Sequence, residues 1–96
     1  MCTMIIHQAK IAGRGKAAGG WFEVKQANVS YDHPYEMPLE HALNIDFVDE
    51  SRGPAARVAV ELSVESARNL IKTIEAVLAQ AEERGVLEDV PSAAAR

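Results

Sequence analysis

The stretch "ARVAVELSVESARNLIKTIEAVLAQAEERG", residues 56–85, contains a change in the spacing of its apolar residues. Before Ser63 they alternate, which is typical of a strand with one face on a core, and Val58, Val60 and Leu62 share that face. After Ser63 they recur at the spacing of an amphipathic helix, at Ala67, Leu70, Ile71, Ile74, Val77, Leu78 and Ala81. The stretch therefore predicts a strand followed directly by a helix.

Both ends of this helix carry the residues that helix ends favour. Ser63 is placed to act as the N-cap, and Glu65 would interact favourably with the positive end of the helix. Gly85 is a typical C-terminal stop, because glycine readily adopts the left-handed conformation that ends helices. We expect a helix over residues 64–84, about six turns long.

Three more strands are predicted upstream, at residues 3–12, 21–31 and 41–48. The stretch "GRGKAAGG", residues 13–20, is rich in glycine and is predicted to be a flexible turn. The apolar phase of the second strand slips, which predicts a β-bulge near Lys25 or Gln26.

These elements predict an α+β fold, a four-stranded antiparallel β-meander with one C-terminal amphipathic helix packed on one face. Residues 1–86 would form a single domain, and residues 87–96 a loose C-terminal tail. The helix is expected to cover the face that carries Leu43, Ile45, Phe47, Val58, Val60 and Leu62. The other face is half apolar, and the sheet has two unpaired edges, so we expect a homo-oligomer, most simply a dimer.

Composition excludes several classes of function. The net charge is −4, which argues against binding to DNA or RNA. The sequence has no apolar run of about 18 residues, so no membrane association is expected. The single cysteine cannot form an internal disulfide, and the N-terminal residues do not resemble a signal peptide. We expect a soluble cytoplasmic protein.

The stretch "YDHPYEMPLEH", residues 31–41, holds two of the three histidines. If the first hairpin pairs Thr3 with Ser30 and the second pairs Tyr31 with His41, one end of the sheet gathers Cys2, His33 and His41. Thiolate and imidazole are ligands that zinc and related transition metals prefer, so these three residues are candidate metal ligands. The alternative is structural: a core histidine, a loop histidine and a small buried cysteine.

A third, weaker hypothesis is a small-molecule binder that uses the less covered face of the sheet, with Trp21 as a stacking residue and the acids Asp46 and Glu61. Packing for the tryptophan and a solvated strand face for the two acids are the simpler explanations. The glycine-rich stretch does not match a phosphate-binding loop, because Ala17 occupies the place of the required serine or threonine.

The segments "MCTMI", "GWF", "YDHP", "EHALNIDF" and "ARVAVELSVESAR" resemble a small family of actinobacterial proteins of about this length, classed as a domain of unknown function. The resemblance covers the chain from Met1 to about Leu78. It implies no activity, substrate or cofactor, and it assigns no functional residue.

Two hypotheses of different classes follow. The leading one is a small non-catalytic association protein, acting as a homo-oligomer or as an accessory subunit of a larger enzyme. The alternative is a transition-metal-binding protein or small metalloenzyme that uses Cys2, His33 and His41.

Overall fold

The computed structural model describes residues 5–88. Its elements, in chain order, are β1 (Ile5–Ala17), β2 (Gly20–Asp32), β3 (Ala42–Val48), a short 3₁₀ helix (Glu50–Arg52), β4 (Arg57–Leu62) and α1 (Val64–Glu83). Each strand pairs antiparallel with its neighbour in the chain, in the order β1-β2-β3-β4. The predicted fold, an α+β meander with one C-terminal helix, is confirmed.

Most of the glycine-rich stretch is strand, and the turn predicted over residues 13–20 is confined to Ala18 and Gly19. β1 continues to Ala17, which pairs with Gly20. The chain therefore reverses later than expected, and the predicted pairings shift with it: Ser30 lies opposite Ile6 rather than Thr3. In the second hairpin Tyr31 lies opposite Leu43 rather than His41.

Gly15 shows why glycine occurs inside β1. It lies opposite Phe22 in the ladder, and a Cβ built on it would stand 2.9 Å from Cγ2 of Val24. That is closer than a carbon atom can approach without displacing its neighbour. Glycine at this position lets the side chains of β2 fold over the backbone of β1.

The predicted irregularity lies at the expected level of the sheet, but the extra residue is in β1. The register shifts between Lys10 and Gly13, whose partners in β2 are Gln26 and Val24. Two residues of β1 therefore face one residue of β2, which is the arrangement of a β-bulge. In β2 itself Val24 and Ala27 are both buried, which is the phase slip that the sequence showed.

The best-packed part of the molecule lies at the β1–β2 turn end of the sheet. Phe22, Val24 and Ala56 are buried together, with Phe47 and Val58 against them. The link between β3 and β4 closes this cluster.

Asp49 stabilises that link. It is buried and caps the 3₁₀ helix, where its carboxylate accepts hydrogen bonds from the backbone N–H and the hydroxyl of Ser51. The hydroxyl hydrogen bond is the main cause that lowers the pKa of Asp49 below its ordinary value.

Both predicted ends of α1 are confirmed. Oγ of Ser63 accepts a hydrogen bond from the backbone N–H of Ser66 at 3.1 Å. At the other end Gly85 has a φ of 70°, and the N–H of Val86 donates to the carbonyl of Ala81. This is a Schellman motif, which satisfies carbonyl groups that the helix leaves without a partner.

α1 lies on the predicted face of the sheet, but the two are separated by an open groove. The sheet side of the groove is formed by Val29, Tyr31, Leu43, Ile45 and Leu62, and the helix side by the first half of α1. The groove has a volume of about 520 Å³. The structure describes every residue of Val64–Glu83, and none of them is buried. Within residues 5–88, no helix has the length and apolarity that a membrane crossing requires.

Candidate functional site

The connection between β2 and β3 is tied to the sheet by Glu61 of β4. Oε2 of Glu61 accepts a hydrogen bond from the N–H of Tyr35 at 2.6 Å, and Oε1 accepts from the N–H groups of Glu36 and Met37 at 2.9 and 3.0 Å. These hydrogen bonds lower the pKa of Glu61 below its ordinary value, and the one from Tyr35 has the largest effect. Glu61 therefore anchors a loop, and its oxygens already accept three donors.

The two histidines of this connection lie side by side. The ring centroids of His33 and His41 are 4.8 Å apart with an interplanar angle of 26°, and His41 also stacks on Tyr31 with a centroid distance of 5.6 Å. Nδ1 of His33 lies 2.8 Å from the backbone carbonyl oxygen of Glu40. Because a carbonyl oxygen only accepts, Nδ1 carries the proton of this hydrogen bond.

The predicted metal ligands can be located only in part. His33 and His41 are adjacent, as the sequence led us to expect, whereas Cys2 lies outside the described residues. Among residues 5–88, no group of three or more His, Cys, Asp or Glu side chains is arranged to hold a metal ion. A metal site that includes Cys2 stays a prediction.

The residues of the weaker ligand-site prediction lie in two places. Asp46 and Glu61 share one face of the sheet, where Oδ1 of Asp46 accepts from Nε and Nη2 of Arg57 at 3.0 and 2.8 Å. Trp21 pairs with Lys16 beside the β1–β2 turn and is exposed. It lines a separate pocket of about 250 Å³ together with Phe22, Gly20 and residues near Ala56.

α1 carries an apolar surface that the sheet leaves largely uncovered. We call it the apolar stripe of α1, and it consists of Ala67, Leu70, Ile71, Ile74, Val77, Leu78 and Ala81. Its large members are about half exposed, from 43% for Leu70 to 61% for Val77. Sequence reasoning found this stripe but expected the sheet to cover it. The lengths of the two elements already indicated that the sheet could not cover the whole stripe. The 20 residues of α1 extend about 30 Å, whereas the six residues of β4 extend about 20 Å.

The chain belongs to a family of unknown function, DUF6295, whose family model matches residues 1–87. No curated protein and no solved structure matches it.

Proposed function

We propose that this member of an uncharacterised family is a small non-catalytic protein that acts by association, as a homo-oligomer or as an accessory subunit of a larger enzyme. The observation that carries the proposal is the apolar stripe of α1, whose large members are about half exposed. Monomeric soluble proteins rarely leave a contiguous apolar patch of this kind uncovered, so such a patch is typical of an interaction surface.

The test is the mass of purified, tag-free protein by light scattering across a wide concentration range. A homo-oligomer gives a mass that is a multiple of 10.4 kDa. An accessory subunit instead co-purifies with one enzyme at a fixed stoichiometry when both are expressed at native levels. A strict monomer at high concentration with no stoichiometric partner would reject the proposal.

Transition-metal binding is the second candidate, and one observation favours it. Nδ1 of His33 is held by the carbonyl oxygen of Glu40, and a hydrogen bond of this type commonly orients metal-binding histidines. His41 lies against the same ring. Elemental analysis of the protein as isolated decides between the candidates: about one zinc or similar ion per chain, lost in His33→Ala and His41→Ala but kept in His7→Ala, supports metal binding. Metal-free protein rejects it.

We also propose that the protein is soluble and cytoplasmic. Its net charge of −4 favours solubility. Its single cysteine favours the cytoplasm, since a protein that works outside the cytoplasm more often contains paired cysteines.

A further inference from the structure

The apolar stripe of α1 has a symmetric spacing about Ile74. When a second copy of the helix runs antiparallel and is aligned at Ile74, similar residues lie opposite one another: Ala67 with Ala81, Leu70 with Leu78, Ile71 with Val77, and Ile74 with itself. A surface that is complementary to itself is what a two-fold symmetric interface requires, because each subunit contributes the same patch.

We propose that the partner of this surface is a second copy of the chain, and that two α1 helices pair antiparallel around a two-fold axis at Ile74. The inference rests on the proposed association function and names its partner. The spacing itself is that of any amphipathic helix, so the reason for a second copy is the match of residue types on the two sides of Ile74.

The charges of α1 favour the antiparallel direction. Within Val64–Glu83, all of which the structure describes, the first turn contains Glu65 and the last turn contains Glu82 and Glu83 and no basic residue. The basic Arg84 follows as the C-cap residue. Acidic residues at the negative end of a helix are unfavourable. An antiparallel copy brings its positive helix end and its Arg68 towards Glu82, whereas a parallel copy would place each Glu82 beside the other. Glu65 of one copy lies at the level of Glu83 of the other, but both are on the side of the helix opposite the stripe.

The position of Arg68 can be specified further. In the alignment about Ile74 it lies opposite position 80 of the other helix, so Glu82 is offset by two residues, about 3 Å along the axis. Arg68 also lines the groove, together with Ile71 and Ile74 of the stripe.

The groove between α1 and the sheet would take side chains of the second helix. Its lining is mostly apolar, and Leu70, Ile71 and Ile74 on its helix side are the middle of the stripe. A partner helix that lies along α1 would also contact Tyr31 and Ile45 of the sheet. The dimer then consists of two outer sheets with two helices between them, a layered arrangement in which both apolar surfaces are covered.

The edge of β1 is the main competing surface, and its sequence argues against it. It exposes Ile5 and Ile6, but it also contains a bulge after Lys10 and further positive charges at Arg14 and Lys16. Bulges and basic residues are the features by which edge strands avoid pairing with another strand. The helix surface has no comparable obstacle along the stripe.

Disulfide trapping in a Cys2→Ser background tests the geometry directly. Ile74→Cys places two thiols at the two-fold axis, where paired helices bring the Cα atoms within the range that a disulfide bridges. Mild oxidation should convert most of this variant to a covalent dimer. Lys72→Cys, two residues away on the opposite side of the helix, is the matched control and should stay largely uncrosslinked.

A second variant tests the energetics. Ile74→Asp places two unpaired carboxylates at the centre of the contact and should raise the dissociation constant of the dimer about a hundredfold or more. Ala76→Asp introduces the same side chain on the polar face and should leave the dimer intact. Circular dichroism of each variant establishes that the sheet and helix are still formed.

The outcomes separate the inference from the function on which it rests. If the parent protein is monomeric at every concentration and has no partner, both fail. If it associates but Ile74→Asp associates equally well and Ile74→Cys does not crosslink, the pairing is wrong and another surface, such as the β1 edge, is responsible. A stable complex with a different protein and no self-association would also overturn the helix pairing, while the association function would stand.

Discussion

At the scale of single residues, Gly15 and Gly13 differ in what surrounds them although they lie two positions apart in β1. A Cβ on Gly15 would meet a methyl group of Val24, a core residue that is 4% exposed, at 2.9 Å. A Cβ on Gly13 would meet nothing within 4 Å. Neither glycine has a positive φ, so the backbone conformation does not distinguish them.

Gly15→Ala should therefore destabilise the protein by about 1–2 kcal/mol, because the core must shift to accept the methyl group. Gly13→Ala is the control and should be neutral or slightly stabilising, since alanine lowers the entropy of the unfolded chain. Urea unfolding at equilibrium measures both. Equal effects of the two substitutions would contradict the close approach of Val24 to β1.

Glu61 makes the stability of the loop depend on pH. Its pKa in the folded protein lies below the ordinary value of 4.5, because three backbone N–H groups donate to the carboxylate. A depressed folded-state pKa means that the stabilisation is complete above the ordinary pKa and is lost as the pH falls through the folded-state pKa.

Glu61→Gln should lower the urea midpoint at neutral pH, and the difference from the parent protein should shrink as the pH falls below 4.5. Glutamine cannot accept at both positions, so the amide N–H of Tyr35 should also lose protection in hydrogen exchange. Glu23→Gln removes one exposed carboxylate of β2 and serves as the control. A difference that stays constant between neutral and acid pH would exclude the anchoring role.

At the scale of elements, the sequence predicted what depends on neighbouring residues and missed what depends on distant ones. The junction at Ser63 was predictable, because the apolar period changes there and the cap is local. The strand character of Gly13–Ala17 was not, since it depends on Val24 across the hairpin. Because of that error, the predicted hairpin turn came too early in the chain, and the predicted partner of Ser30 was wrong. The predicted partner of Tyr31 in the second hairpin was also wrong.

In the candidate site, too, one contact could be predicted from the sequence and another could not. His33 and His41 are eight positions apart in one short connection, so their proximity could be expected from the sequence. The link from Glu61 to the N–H groups of residues 35–37 joins positions 24 to 26 apart. Backbone donors have no sequence signature, so this contact could not be found before the fold was known.

The N-cap offers a test at the level of the helix. Ser63→Ala removes the acceptor for the N–H of Ser66 and should cost about 1 kcal/mol in the free energy of unfolding. Ser63→Asp keeps an acceptor and should retain most of the stability. If Ser63→Ala loses no stability while Ser63→Asp does, the side chain is not acting as a cap.

At the scale of the whole molecule, the chain has little core for its length. Within residues 5–88 the buried apolar residues are Phe22, Val24, Ala27, Ala42, Val48 and Ala56, three of them alanines. Small domains with so thin a core commonly gain stability from oligomerisation. The proposed dimer would supply the missing burial by covering the stripe of α1.

Folding and association should then be linked, so the melting temperature should rise with protein concentration. A tenfold increase adds about 1.4 kcal/mol per dimer. With an unfolding entropy of about 2.1 cal/mol/K per residue, the melting temperature should rise by about 3 °C. Scanning calorimetry over a hundredfold concentration range measures this shift. Ile74→Asp should melt at a lower temperature that does not change with concentration, because a monomer unfolds without dissociating. A parent protein whose melting temperature is equally independent of concentration would show that its fold does not need a second copy.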